Sequence, residues 1–326
     1  MATLVTGGTG FVASNIVKTL AQRGHEVVCF DLVPPNDMVK AYHSEHSSSI
    51  TYVQGDILKP GDLEGAAAGR NVTKIVHAAV FTGIRRDIER DRSRSIVDIN
   101  VTGTANLLDL ATTLSMERFL YVSSGSVYGE GLDPGGVLQE EIQLHPHTLY
   151  ASTKYASELL TRRYGELHGF RTVSTRLSSP YGPMERVTGH RAVMSVLYEW
   201  TRDVVRGDSI RLGDRTASRD YTYVADTASA ICSILDHASL SYGEYNIASG
   251  YAPTLEEIAR AMKEARPSVQ IVDDPAHQEQ SLRPDTARGC MDVTRLREDV
   301  GFRPAYDLVS GIREYLEWRE ASGFRD

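Results

Sequence analysis

The stretch ATLVTGGTGFVASNI (residues 2–16) decides the fold that we expect for this chain. An apolar, strand-like run ends near Val5, three glycines follow, and an apolar, helix-like run begins at Phe11. Glycine permits a tight turn and lets the backbone approach a bound phosphate. The start of the following helix adds free N–H groups and the positive end of the helix dipole. The stretch therefore predicts a strand–turn–helix unit that holds the pyrophosphate of a dinucleotide.

A second feature supports this prediction, because glycine-rich turns also occur for packing reasons alone. Gly8, Gly10 and Ala13 match the pattern G-x-G-x-x-G/A, and Asp31 ends the next apolar strand, roughly 20 residues on, where a ribose-binding acid belongs. A carboxylate there binds the adenosine ribose and repels a 2′-phosphate. No Arg follows in DLVPPND (residues 31–37), so we predict NAD as the cofactor. The alternative role for Asp31 is a helix cap or a turn residue.

Short apolar runs alternate with helix-like stretches through the first half of the chain. After the first strand come EVVCFDL, TYVQGDI, KIVHAAV, RFLYVSSGSVYG and RTVSTRLSS, with helix-like segments between them. This alternation predicts an α/β fold with a doubly wound parallel sheet of the Rossmann type. We predict an NAD-binding domain over residues 1–177, with a returning segment at about 221–248. Residues 178–220 and 249–326 are predicted to form a smaller, mixed substrate-binding region.

Bulk properties exclude several classes of function. The net charge is −8 and the 35 basic residues are scattered along the chain, so no nucleic-acid partner is predicted. No apolar run approaches the roughly 20 residues of a membrane span, and no targeting segment is visible. The three cysteines, Cys29, Cys232 and Cys290, lack metal-ligand spacing. We expect reduced thiols, no metal site, no membrane partner and a cytoplasmic location.

The segment YASTK (residues 150–154) carries a candidate for proton transfer. Helical spacing places Tyr150 and Lys154 on one face of a helix. A free tyrosine has a pKa near 10 and is a poor base at neutral pH. A neighbouring cation favours the phenolate, and a positively charged nicotinamide ring adds to that effect. The pair is therefore a candidate general acid/base for interconverting an alcohol and a ketone.

Ser124 is the third candidate of this site. YVSSGSVYG reads as a strand that runs into a turn, and ligands bind at the carboxyl ends of strands in open parallel sheets. A hydroxyl group at this position can hydrogen-bond the substrate oxygen whose proton Tyr150 moves. Ser123 and Ser126 are local alternatives.

The motifs together resemble the extended short-chain dehydrogenases/reductases, the group that contains the NAD-dependent sugar epimerases and dehydratases. The resemblance covers nearly all of the chain and rests on TGGTGFVAS, FD, GDI, HAA, NVTGT, VSSGSVYG, YASTK, RLSSPYGP, RDYTYVAD, YNIASG and RPDTARGCMDVTRL. It implies that Tyr150 is the acid/base, that Lys154 orients it and holds the ribose, and that Ser124 completes a catalytic triad. It also implies a homodimer formed through helices near residues 100–114 and 150–164.

The resemblance implies a set of NAD contacts at the ends of several strands. The expected cofactor-binding residues are Gly7, Gly10, Phe11, Val12, Asp31, Asp56, Ile57, Ala78, Ala79, Asn100, Tyr150 and Lys154. For Asp56, a turn role fits the sequence as well as contact with the adenine edge. Family members usually carry glycine at the position of Ala13, and we interpret the extra methyl group as a packing adjustment.

A small, sugar-type substrate is expected, and the candidate residues for it are Phe81, Thr82, Ser124, Ser179, Arg219 and Arg283. Nucleotide-sugar members usually carry Asn at the position of Ser179, where it contacts the diphosphate, so this departure argues against a nucleotide sugar. Arg219 and Arg283 argue for one, because they match positions that hold a diphosphate. Either guanidinium can bind a phosphate or a carboxylate, and the alternative for each is a structural ion pair.

The segment GPMERVTGHR (residues 182–191) is predicted to form part of a lid over the substrate. Its charged residues are candidates for substrate specificity, with a plain polar loop as the alternative. They are Glu185, Arg186, His190 and Arg191.

The reaction class follows from what surrounds the triad hydroxyl. Family dehydratases usually carry Asp-Glu directly after it, whereas Gly125 and Ser126 follow Ser124 here. We therefore expect an NAD-dependent, epimerase-like oxidoreductase that acts on a sugar or nucleotide-sugar hydroxyl through a keto intermediate. The alternative is a net dehydrogenase of a small polyol, sugar or sugar acid. A third hypothesis, a catalytically silent NAD-binding regulator, is disfavoured by the intact set of Ser124, Tyr150 and Lys154.

Overall fold

Strands alternate with helices through the first half of the computed structural model. The structure describes residues 1–129, 136–188, 193–277 and 289–326. Numbered along the chain, the strands are β1 (Ala2–Thr6), β2 (Glu26–Asp31), β3 (Ile50–Gln54), β4 (Val72–His77), β5 (Arg118–Ser124), β6 (Val137–Leu138), β7 (Arg171–Leu177), β8 (Ser179–Tyr181), β9 (Ile210–Leu212), β10 (Tyr221–Tyr223), β11 (Glu244–Ile247), β12 (Ile271–Asp273) and β13 (Cys290–Met291).

The helices are α1 (Phe11–Gln22), α2 (Asp37–Tyr42), α3 (Pro60–Ala67), α4 (Arg86–Asp91), α5 (Ser93–Val97), α6 (Gly103–Thr113), α7 (Leu149–His168), α8 (Val196–Arg206), α9 (Val224–Asp236), α10 (Leu255–Ala265), α11 (Thr294–Asp299) and α12 (Leu308–Ser322). A π-helical turn (Asp98–Thr102) lies between α5 and α6. Among the described residues, no helix has both the length and the apolar character needed to cross a membrane.

A seven-stranded sheet in the order β11-β7-β5-β4-β1-β2-β3 forms the centre of the fold, and all its neighbouring strands are parallel. The chain winds outward from β1 in one direction, through β2 to β3, and then returns to β4 on the other side of β1. This arrangement confirms the predicted doubly wound sheet of the Rossmann type. In such sheets a crevice opens at the carboxyl ends of the strands where the winding reverses.

The sheet is buried on both faces, which explains its continuous apolar runs. Leu4 and Val5 are neighbours on β1 and point to opposite faces, yet both are fully buried. Val5 belongs to the core shared with α1 and α9. Leu4 belongs to the core shared with α3 and α6. The helices on the two faces thus support the sheet, and the candidate site lies at the carboxyl ends of its strands.

A separate core packs α8, α10 and α12 around Trp200, Ile258 and Ile312. The segment after β7 begins with the short strand β8, which pairs with β10. The Tyr181 ring packs against the Tyr223 ring at a centroid distance of 5.4 Å. The segment that returns to the main sheet ends in β11, beside β7. The predicted domain boundaries themselves stay a prediction.

Candidate active site

A cavity of about 760 Å³ lies over the carboxyl ends of the central strands. Most residues proposed from the sequence contribute to its wall. These are Gly7, Gly10, Phe11, Val12, Asp31, Asp56, Ile57, Ala78, Ala79, Thr82, Ser124, Tyr150 and Lys154. The cavity thus brings together the two halves of the predicted site, one for binding the dinucleotide and one for proton transfer.

Gly7 fits against the chain that follows β4 because it has no side chain. Gly7 has φ +68°, and a Cβ atom there would lie 2.8 Å from Cα of Ala79. The Gly10 N–H donates to the Gly7 carbonyl at 2.8 Å and closes the turn. Helix α1 starts directly after it, and its N-cap residue, Gly10, has no side chain that could cap the first turn. A helix start of this kind at the cavity suits the pyrophosphate of a dinucleotide.

Asp31 is held at the end of β2 by the same turn. One oxygen of its carboxylate accepts hydrogen bonds from the Thr9 N–H at 3.0 Å and the Thr9 hydroxyl at 2.9 Å. The other oxygen accepts from the Val33 N–H at 3.1 Å. Thr9 lies between two glycines, and the sequence pattern alone does not assign it a role. Its side chain joins the phosphate-binding turn to the predicted ribose-binding acid.

Asp56 makes the contacts of a turn residue at the edge of the cavity. Its carboxylate accepts a hydrogen bond from the Leu58 N–H at 2.9 Å, and its own N–H donates to Asp62 at 2.9 Å. These are turn contacts. Asp56 also lines the cavity beside Ile57, so contact with an adenine edge stays a prediction.

Tyr150 and Lys154 lie one turn apart on α7, whose first turn is capped by the Thr148 hydroxyl. The Lys154 ammonium donates to the Val122 carbonyl at 2.7 Å and lies 5.9 Å from the centre of the Tyr150 ring. Burial lowers the pKa of Lys154 to about 7, and the negative charge of Glu158 partly opposes that shift. A proton at this position is therefore gained or lost near neutral pH.

Ser124 ends β5 and shares the cavity wall with Ser123. The Ser124 oxygen accepts a hydrogen bond from the Ser126 N–H at 3.2 Å. The hydroxyls of Ser123 and Ser126 are buried and make no hydrogen bond within the described parts of the chain. Ser126 is not among the described wall residues, so the choice of a triad hydroxyl narrows to Ser124 or Ser123.

Asn100 and Phe81 are not among the described residues of the cavity wall. Asn100 lies on the π-helical turn and is buried. Its side-chain oxygen accepts from the Phe81 N–H at 2.8 Å, and its amide donates to the Phe81 carbonyl at 3.2 Å and to the Thr153 hydroxyl at 3.0 Å. Asn100 therefore joins the chain after β4 to helix α7, and this bracing holds Tyr150 and Lys154 in place.

His77 supports the strand end that carries Ala78 and Ala79, a role that the sequence did not suggest. The Thr6 hydroxyl oxygen accepts from the N–H groups of Ala78 and Ala79 at 3.2 and 3.3 Å and pairs with His77 Nδ1 at 2.7 Å. Nε2 of His77 pairs with the Thr104 hydroxyl at 3.0 Å. Burial lowers the pKa of His77 to about 3, so the ring is neutral at physiological pH.

Fewer of the proposed substrate residues than of the proposed cofactor residues line the cavity. Within the described chain, Ser179 and Arg219 lie outside the cavity wall, while Ser178 and Pro180 contribute to it. The Ser179 N–H donates to the Asp220 carbonyl at 3.1 Å as part of the pairing with β10. The remaining predicted positions, Arg283, His190 and Arg191, lie outside the described residues.

The side chains of Glu185 and Arg186 have different surroundings, although the two residues are neighbours in the sequence. The Glu185 carboxylate is buried and accepts from the Ser195 N–H at 3.0 Å and the Ser195 hydroxyl at 2.9 Å. Arg186 lines the cavity, where Nη2 donates to the Thr9 carbonyl at 2.7 Å. Its role as a specificity residue of the lid stays a prediction, and its guanidinium contacts the glycine turn.

Comparison with known proteins identifies the family of this fold and site. The model of the NAD-dependent epimerase/dehydratase family matches residues 3–248, well over half of the chain. The chain belongs to this family. The predicted resemblance is therefore confirmed, and with it an enzyme that uses NAD.

Three relatives of this family member show how closely it is related to known proteins. It is 28% identical to UDP-glucose 4-epimerase of Mycolicibacterium smegmatis, over 98% of each chain. It is 30% identical to dTDP-glucose 4,6-dehydratase of an Actinoplanes species, over 99% of this chain and 98% of that one. The solved structure of Thermus thermophilus UDP-glucose 4-epimerase in complex with NAD matches with a TM-score of 0.81 at 26% identity, over 98% of this chain and all (100%) of that chain.

Proposed function

We propose that this chain is an NAD-dependent epimerase of a nucleotide sugar, which inverts one hydroxyl-bearing carbon through a keto intermediate. The observation that supports this proposal best is the shared cavity wall of Tyr150, Lys154, Ser124 and the glycine turn. Bound NAD supplies an acceptor and donor of hydride. The glycine turn and Asp31 hold the adenosine diphosphate part of the cofactor in this proposal.

Tyr150 moves the proton of the sugar hydroxyl in the proposed reaction, out in the first half and back in the second. The nearby Lys154 ammonium favours the phenolate form, which makes the tyrosine a competent base. Ser124 binds the same sugar oxygen through its hydroxyl and fixes its distance from Tyr150. The chain's own contribution is therefore a positioned base, a cation beside it and a hydrogen-bonding group.

The surroundings of Ser124 support an epimerase over a dehydratase. Removal of water from the sugar needs an acid that protonates the leaving hydroxyl. Among the described residues of the wall, the carboxylates are those of Asp31, at the end of β2, and Asp56, just after β3. Both strands lie on the opposite side of β1 from β5, which carries Ser124. Gly125 and Ser126 supply no acid in their place.

The relatives favour a nucleotide sugar over a small polyol or sugar acid. UDP-glucose 4-epimerase and dTDP-glucose 4,6-dehydratase carry nucleotide sugars in their names, and each matches along almost the whole chain. The net dehydrogenase that the sequence left open is accordingly not favoured. Ser178 and Pro180 are candidates for contact with the nucleotide sugar, because they line the cavity on either side of Ser179.

Assembly and location also belong to this proposal. Leu159 on α7 and Val97 on α5 are apolar and exposed, at 39% and 38% of their surface, near the helices expected to form a homodimer. Light scattering that gives a dimer mass for the wild type would support the dimer, and a monomer mass at micromolar concentration would contradict it. The cytoplasmic location stays a prediction that cell fractionation tests.

Product analysis with two substrates tests the proposed reaction. The enzyme is incubated with NAD⁺ and either UDP-glucose or dTDP-glucose, the products are separated by ion-exchange chromatography, and NADH absorbance is followed in parallel. Conversion to an epimer without net NADH supports the proposal. Steady accumulation of NADH would show a dehydrogenase, and a keto-deoxy sugar product would show a dehydratase.

A further inference from the structure

Arg186 lies beside the glycine turn, at the predicted adenosine end of the cavity, although Arg186 and that turn are far apart along the chain. Nη2 of its guanidinium donates to the Thr9 carbonyl at 2.7 Å, and Nη1 is buried with no hydrogen-bond partner among the described residues. A buried charged donor without a partner is costly, so its retention points to a ligand that completes it. We infer that Arg186 binds the adenosine ribose of NAD.

The chain around Arg186 is built to hold it in this place. Met184 has φ +71°, a left-handed conformation that is unfavourable for a residue with a side chain, and it is fully buried. The turn at Met184 separates Pro183, whose carbonyl accepts from Asn15 at 3.1 Å, from Glu185, which is anchored on Ser195. Arg186 is therefore fixed on both the α1 side and the α8 side.

Thr9 places Arg186 and Asp31 around one point of the cavity. Its N–H and hydroxyl bind the Asp31 carboxylate, and its carbonyl accepts from Arg186. A ribose hydroxyl can both donate and accept a hydrogen bond. It can donate to Asp31 and accept from Nη1 of Arg186, which completes both groups. This role belongs to cofactor binding and does not depend on which sugar the enzyme converts.

Calorimetric titration of nucleotide-free protein tests the inference without any activity assay. Arg186→Ala should weaken NAD binding about tenfold, because it removes a charge-assisted hydrogen bond. It should weaken ADP-ribose binding by the same factor, since that ligand keeps the adenosine end. Arg186→Lys should recover only part of the loss, because one ammonium cannot reproduce the two-sided fork of arginine.

The matched control is Arg202→Ala, which removes a partly buried, ion-paired arginine of α8 that does not line this cavity. Its affinity for NAD should equal that of the wild type. Unchanged NAD affinity in Arg186→Ala would overturn the inference. Weakened NAD binding with unchanged ADP-ribose binding would overturn it as well, since Arg186 would then act at the nicotinamide end. Thermal unfolding without NAD checks that the variant is folded.

Discussion

The ammonium nitrogen of Lys154 lies 5.9 Å from the centre of the Tyr150 ring, on the same face of α7. The same ammonium donates to the Val122 carbonyl at 2.7 Å, which ties the helix to β5 and therefore to Ser124 at the end of that strand. Asn100 adds a second tie through Thr153. The proposed acid/base is thus positioned by contacts to two other elements.

Tyr150→Phe should retain NAD binding and lose turnover by a factor of at least about 100, because general acid/base catalysis contributes 10²–10⁴-fold. Steady-state assays with the nucleotide-sugar substrate and calorimetry with NAD measure the two effects separately. The control is Tyr164→Phe, on the same helix, where the hydroxyl binds exposed Asp109 at 2.9 Å. The control should leave both quantities unchanged. Normal turnover in Tyr150→Phe would refute its assignment as the acid/base.

Local sequence patterns were sufficient to predict the sheet, the glycine turn and the place of Asp31 at the end of a strand. Each is encoded by neighbouring residues: apolar runs, turn-forming glycines and an acid at a strand end. The position of Arg186 was not predictable in this way, because it depends on how the segment after β8 folds back onto Thr9. The bracing role of Asn100 is tertiary for the same reason, since its partners Phe81 and Thr153 lie on different elements.

Gly7→Ala should abolish NAD binding and cost more stability than Gly69→Ala. Gly7 and Gly69 have nearly equal backbone angles, φ +68° and φ +71°. A Cβ at Gly69 meets nothing within 4 Å, so its cost is the backbone strain alone, about 1–2 kcal/mol. A Cβ at Gly7 would in addition lie 2.8 Å from backbone of Ala79. Urea unfolding compares the two costs, and equal values would contradict a tight fit of the turn.

Glu158→Ala should destabilise the fold by about 3–5 kcal/mol, because it leaves a buried guanidinium without its charge partner. Arg176 binds the Glu158 carboxylate through Nε at 3.1 Å and Nη2 at 2.8 Å, and both side chains are almost fully buried. Nη1 of Arg176 also donates to the Tyr128 hydroxyl at 3.1 Å, so the pair links α7 to the turn after β5. Denaturant unfolding measures the loss.

The control for this pair is Glu166→Ala, also on α7. Glu166 pairs with Arg163 at 2.9 Å, and both side chains are more than half exposed. Exposed pairs of this kind contribute about 0–1 kcal/mol, because solvent screens them and ordering long side chains costs entropy. A loss for Glu158→Ala as small as that of Glu166→Ala would show that the buried pair contributes little.

Without NAD, the gain in stability of Lys154→Met over the wild type should be larger at low pH than at high pH. Burial lowers the pKa of Lys154 from its usual 10.5 to about 7, so the unfolded chain binds more protons than the folded one between these values. Stability of the wild type therefore rises with pH across this window. Below about pH 7 the full cost of a buried ammonium is present, and above about 10.5 it has gone. Methionine is also unbranched, is only slightly shorter than lysine, and carries no charge.

The measurement is urea unfolding of both proteins at several pH values between about 6 and 10, with the difference in unfolding free energy plotted against pH. The advantage of Lys154→Met should be largest at the acid end and should shrink as pH rises. Loss of the hydrogen bond to Val122 lowers the whole curve without changing its slope, so the slope isolates the buried charge. The control is Lys40→Met, at an exposed site on α2, and the slope for Lys154→Met should exceed the slope for this control. A flat line for Lys154→Met would mean that the ammonium is hydrated in solution, and Lys154 would then stay charged beside Tyr150 throughout the working range of the enzyme.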